Sequence, residues 1–114
     1  MSTDVAEQQE TDPLNLNDSA FMAIYDEQYE RTWSGGAIPA KYKELTGIAL
    51  SLVGRCEPCL RYHIKQAVEA GATRGEVVEM VRLSLLSGGS IIIPTARYAY
   101  AVLDELEGKQ QPSE

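Results

Sequence analysis

Histidine occurs once in these 114 residues, cysteine twice, and tryptophan and phenylalanine once each. Positive charge is also scarce: 10 Lys and Arg face 17 Asp and Glu, for a net charge of −7. There is no basic run, so neither a nucleic acid nor an anionic membrane surface is an expected partner. No apolar stretch approaches the ~20 residues of a membrane span. Met1 to Asp12 has neither the basic segment nor the apolar segment of a secretory signal, and the chain reads as cytoplasmic. In a reducing compartment a cysteine pair is more often redox-active or metal-binding than structural. Cysteines only three apart also close too small a loop to stabilise a fold by much.

What is present is helical punctuation, and the size is that of one domain. Residues 1–17 are polar and acidic, without apolar periodicity, and read as a flexible arm. Asn17, Asp18 or Ser19 can cap a helix to Trp33 with a stripe of Phe21, Tyr25, Tyr29 and Trp33. Pro39 opens a second helix carrying Leu45, Ile48 and Leu52, and Gly54 is placed to end it. A third starts at the cysteine pair and stops at Gly71. Thr73 and Glu76 form a capping box for a fourth, which Ser87-Gly88-Gly89-Ser90 breaks. Three isoleucines precede Pro94, but Ala96, Ala99, Val102 and Leu103 keep helical spacing, which predicts a fifth helix over about 90–107. The expectation is an all-α bundle of five to six helices over residues 18–107, with a polar tail over 108–114.

The chemistry concentrates in Cys56-Glu57-Pro58-Cys59 with His63 four residues on. On a helix, positions 56, 59 and 63 lie along one stripe. A helix N-terminus favours the thiolate, and Arg55 and Arg61 add positive charge. His63 lies one turn from Cys59, flanked by the apolar Leu60, Ile64 and Ala67. It therefore faces inward, where an imidazole suits a base or proton relay. Glu44 stands at the edge of the second helix's apolar stripe, and spacing alone does not bring it to the thiols. Two other readings of these residues stand: a zinc site from Cys56, Cys59, His63 and Glu44, or a scaffold or redox sensor. Zinc wants tetrahedral convergence, which three ligands along one rigid helix do not readily supply.

The run from Lys43-Glu44-Leu45 through Gly54-Arg55-Cys56-Glu57-Pro58-Cys59-Leu60-Arg61-Tyr62-His63 resembles the carboxymuconolactone decarboxylase / alkylhydroperoxidase D superfamily. So do Gly71-Ala72-Thr73 and Ser87-Gly88-Gly89. The resemblance covers roughly residues 38–107, and its specific part is the Glu-x11-Cys-x-x-Cys-x-x-x-His spacing of the peroxidase branch. It implies an all-helical fold that assembles as a homo-oligomer, a trimer or hexamer; no cofactor or metal is expected. It also implies roles. Cys59 would attack a peroxide with help from His63 and Glu44. Cys56 would resolve the product to a disulfide and exchange with a dithiol electron donor. One position departs from the family: Pro58 stands where a second relay histidine often occurs. Cys-x-Pro-Cys is also a thioredoxin-type arrangement, so disulfide reduction is the alternative activity.

Overall fold

The structure, a computed structural model, describes residues 11–108. Among them every regular element is helical. The chain divides into two compact units, one ending at Ser34 and one starting at Gly35.

The first unit is helix α1, Pro13–Trp33. It begins earlier than the expected 17–19. Asp12 caps it by accepting the Leu14 N–H at 2.8 Å, and Pro13 occupies the first turn, where its missing N–H costs nothing. Residues 13–17, read from composition as part of a flexible arm, are therefore helical; residues 1–10 of that arm lie outside the described residues. The expected start survives as a kink, because Asp18 has φ −150° and ψ 51° inside the helix. The aromatic stripe forms as spaced: Phe21–Tyr25, Tyr25–Tyr29 and Tyr29–Trp33 place their ring centroids 6.4, 6.2 and 5.6 Å apart.

The second unit holds α2 (Ala40–Val53), α3 (Glu57–Glu69), α4 (Arg74–Gly88), a 3₁₀ turn (Ser90–Ile92) and α5 (Ile93–Leu106). Helix α2 packs against α3 and α4, and α5 packs against α3 and α4. Ile48 and Leu52 of α2 meet Leu60 and Ile64 of α3, Val77 and Val81 of α4, and Val102 and Leu103 of α5 in one core. Each fully buried Leu or Ile side chain contributes roughly 1.5–3 kcal/mol, so this cluster dominates the unit's stability. The isoleucine run divides by position: Ile92 is buried, while Ile91 and Ile93 remain exposed.

Two connections bound the cysteine helix. After it, Thr73 and Glu76 form the expected capping box that opens α4. Between α2 and α3, Gly54 keeps right-handed geometry and the left-handed residue is Arg55, with φ 55°. The Arg55 N–H donates to Leu52 O and the Cys56 N–H to Ser51 O, both at 3.0 Å, the paired bonds of a Schellman ending. Gly54 thus caps the helix as expected, while the left-handed position that favours glycine falls on Arg55. Arg55→Gly should relieve a left-handed cost of about 1 kcal/mol and return part of it through a more flexible unfolded chain. The expected net gain is roughly a few tenths of a kcal/mol, whereas Arg55→Val should lose about 1 kcal/mol or more. Urea unfolding midpoints of the two variants check the sign of each.

Charged pairs orient the helices from outside. Arg61 of α3 forks onto Glu105 of α5 at 2.9 and 3.0 Å, and its Nε donates to the Tyr98 hydroxyl at 3.0 Å. Arg74 of α4 reaches Asp104 at 3.0 Å and Glu107 at 2.6 Å, and Lys41 of α2 reaches Glu76 at 3.2 Å. The hydrogen bonds from Arg61 lower the Glu105 carboxyl's pKa, and the Thr73 N–H followed by Lys41 lowers that of Glu76. A carboxylate with a depressed folded-state pKa stabilises the fold above its unfolded value and loses that contribution as pH falls through the folded value. The difference in thermal midpoint between wild type and Glu105→Gln should therefore be largest at neutral pH and shrink below the ordinary carboxylate range. These pairs are solvated, so the neutral-pH difference should be small.

Candidate active site

Helices α2 and α3 form an antiparallel hairpin whose turn is three residues long, Gly54-Arg55-Cys56. So short a turn fixes the register. Ser51 lies beside Cys56 through the backbone bond given above, and Glu44 lies opposite His63. Glu44 Oε1 and His63 Nδ1 are 2.7 Å apart, and the two residues are only 8% and 7% exposed. The glutamate that spacing alone could not place is thus the buried partner of the only histidine. With Nδ1 facing a carboxylate, the tautomer this contact favours carries its proton on Nδ1 and its lone pair on Nε2.

The cysteines sit at the helix start. Cys56 is the N-cap of α3, and Pro58 fits the first turn. Cys56 and Cys59 form a disulfide with their Cα atoms 5.3 Å apart. The Cys59 N–H donates to Cys56 Sγ at 3.3 Å, so the first sulfur occupies the place of a capping oxygen. Cys59 is exposed and Cys56 half-buried. His63 follows Cys59 by one turn on the same helix face. Tyr62 meets the His63 ring edge-on at 5.2 Å between centroids and is itself exposed. All four residues expected at the site therefore belong to one hairpin, with the sulfurs at its turn and the Glu44–His63 pair deeper along it. Among the described residues, no three His, Cys, Asp or Glu side chains are gathered as a metal site requires. None of the helices there is long and apolar enough to cross a membrane.

Two residues of this hairpin were not singled out by sequence. Ser51 is buried, donates its hydroxyl to Gly47 O at 2.7 Å, and offers its own carbonyl to Cys56. Gly47 lies directly against the imidazole. With Glu44 they repeat on α2 the i, i+3, i+7 spacing of 56, 59 and 63 on α3, so two stripes of equal spacing face each other. An isolated glycine inside a helical pattern was the available signal.

Known proteins share this architecture. A Thermotoga maritima protein of the carboxymuconolactone decarboxylase family, for which involvement in an antioxidative response has been suggested, is 36% identical with a TM-score of 0.72; the match covers 82% of this chain and 92% of that one. A family protein of Legionella pneumophila shares the fold, with a TM-score of 0.78 at 24% identity and 91% of each chain covered. An uncharacterized Cupriavidus necator protein is 31% identical over 74% of this chain and 72% of its own length. An uncharacterized protein of the cox locus in Paracoccus denitrificans is 30% identical over 80% and 78%. Residues 19–105, which hold the whole hairpin and the bundle around it, match the carboxymuconolactone decarboxylase family, and the chain belongs to that family.

Proposed function

We propose that the chain is a thiol-dependent hydroperoxide reductase. The observation that carries this reading is the buried Glu44–His63 pair one helical turn from an exposed cysteine that is already joined to a second cysteine. In the reduced protein, His63 takes the Cys59 proton at Nε2 while Glu44 stabilises the imidazolium through Nδ1–H. The Cys59 thiolate attacks the terminal oxygen of ROOH. The O–O bond breaks, ROH leaves with the proton that His63 took, and Cys59 becomes a sulfenic acid. The Cys56 thiol gives up its proton as it attacks that sulfur, the hydroxyl leaves with that proton as water, and the disulfide forms. A dithiol donor then returns two electrons by exchange, ending as its own disulfide. The exposure difference favours Cys59 over Cys56 as the sulfur this donor attacks. Cys56 then leaves as a thiolate, held by the Cys59 N–H and the helix N-terminus. This reverses the exchange role that the family resemblance implied for Cys56.

Disulfide reduction without peroxide chemistry uses the same pair and is the second reading, supported by the Cys-x-Pro-Cys arrangement. A peroxide-consumption assay with small dithiol donors, comparing wild type with Cys59→Ser, separates the two. Turnover of donor with a protein disulfide but not with peroxide sinks the peroxidase reading.

Assembly belongs to the same proposal. Phe21, Ile24, Tyr25, Leu50, Leu83 and Leu86 are exposed, more large apolar surface than a small soluble chain usually leaves open. The expected state is a homo-oligomer, trimeric or hexameric. Sedimentation equilibrium at micromolar concentration returning the 12.5 kDa of one chain would remove it.

A further inference from the structure

We propose that Gly47 is a positioning residue for His63, the bare Cα that lets the imidazole seat against α2 and keep its Nδ1 on Glu44. Its consequence for turnover rests on the proton-relay reading above. A Cβ built at Gly47 would lie 2.6 Å from His63 Nδ1, 2.7 Å from Cγ and 2.9 Å from Cε1. Side chains do not approach that closely. The atoms met are in a buried ring, not the far end of a flexible chain, so the ring itself must move. Backbone conformation gives no reason for glycine here, since Gly71, Gly89 and Gly108 are the glycines with positive φ. Inside a helix, glycine is less favourable than alanine. Gly75 of α4 shows the contrast, because a Cβ there meets nothing closer than 3.8 Å.

The geometry also says what is lost. Gly47 and Glu44 are on the same helix, one turn apart, and the ring lies against both. Ordinary contact needs at least 3.4 Å, so a ring now 2.6 Å from the added Cβ must retreat from α2 by roughly 0.8 Å. Retreat from α2 is also retreat from Glu44, and a 2.7 Å bond stretched that far passes the useful range of an N–H···O bond. The thiols are untouched by the change. Its effect reaches them through the imidazole.

His63 is the single histidine, so protein labelled with ¹⁵N-histidine gives one imidazole spin system. Wild type should show Nδ1 protonated and Nε2 accepting. Gly47→Ala should lose that tautomer as the major species. It should also cut the peroxide rate to within a few-fold of His63→Ala, a loss on the order of 10²–10⁴. The second arm is the double variant Gly47→Ala/His63→Ala. Without the ring the Cβ has room, so the double variant should unfold at the same midpoint as His63→Ala or higher, and turn over no more slowly. An unchanged tautomer in Gly47→Ala would overturn the proposal. So would a Gly47→Ala that destabilises equally with and without the imidazole, since Gly47 would then serve backbone packing alone. Should Gly47→Ala not fold, the two His63→Ala backgrounds decide. The tautomer and unfolding readouts need no peroxide, so failure of the peroxidase reading leaves them interpretable.

Discussion

Cys59→Ser is expected to abolish peroxide consumption, while Cys56→Ser should consume about one equivalent and stop. Cys59 is the more exposed cysteine and lies one turn from His63, and without it no thiol lies one turn from the imidazole on its own helix. In Cys56→Ser the first step remains but the resolving thiol is gone, so a sulfenic acid should accumulate on Cys59 and be trapped by a sulfenic-acid reagent. Serine is itself a preferred N-cap residue and can accept the Cys59 N–H that the sulfur now accepts. Helix α3 should therefore start as before, and the arrest reads as chemistry, not unfolding. Peptide mapping of the trapped label decides the roles. A label on Cys56 in a Cys59→Ser protein that still turns over would reverse the assignment and make the helix N-terminus, not the histidine, the activating feature.

The second large effect concerns the buried pair. His63→Ala and Glu44→Gln should each slow peroxide reduction, His63→Ala by about 10²–10⁴-fold and Glu44→Gln by less, because the amide still accepts from Nδ1–H without the charge. Stability separates from activity here. His63→Ala leaves an 8% exposed glutamate without its partner. Breaking a buried pair in this way costs roughly 3–5 kcal/mol, whereas replacing both members by apolar residues is often close to neutral. Glu44→Leu/His63→Leu should thus be more stable than His63→Ala and as inactive. Urea unfolding read beside single-turnover rates tests this. If the double variant is the less stable, the pair contributes net stability and the orienting role assigned to Glu44 loses its main support.

Much of this was legible residue by residue. The Thr73–Glu76 box, the Pro39 start and the cysteine pair at a helix N-terminus are local chemistry, and local chemistry was enough. Helix α1 was misjudged at its start because Asp12 and Pro13 make a cap without an apolar pattern behind it, and the Asp18 kink imitates a beginning. Gly54 ends α2 as its position suggests, but the left-handed residue that completes the ending is Arg55, which no local signal marks. Glu44 could not be placed because its neighbourhood depends on hairpin register. From the turn, Glu44 and His63 lie roughly 14 and 9 Å along their helices, and a glutamate's length spans the difference. Gly47 was overlooked for the opposite reason, since its importance lies in an atom it lacks.

One feature of the turn has mechanical meaning. Cys56 closes the ending of α2 with its N–H and begins α3 with its sulfur, so no residue between the two helices is spare. The hairpin is a clamp with a single pivot, Arg55. Oxidation and reduction can turn the cysteine side chains, but they have no slack with which to swing one helix against the other. One residue inserted at that pivot would add slack to the connection and release the register that sets His63 against Glu44. All four site side chains would survive, but the turn would no longer hold the imidazole on its glutamate.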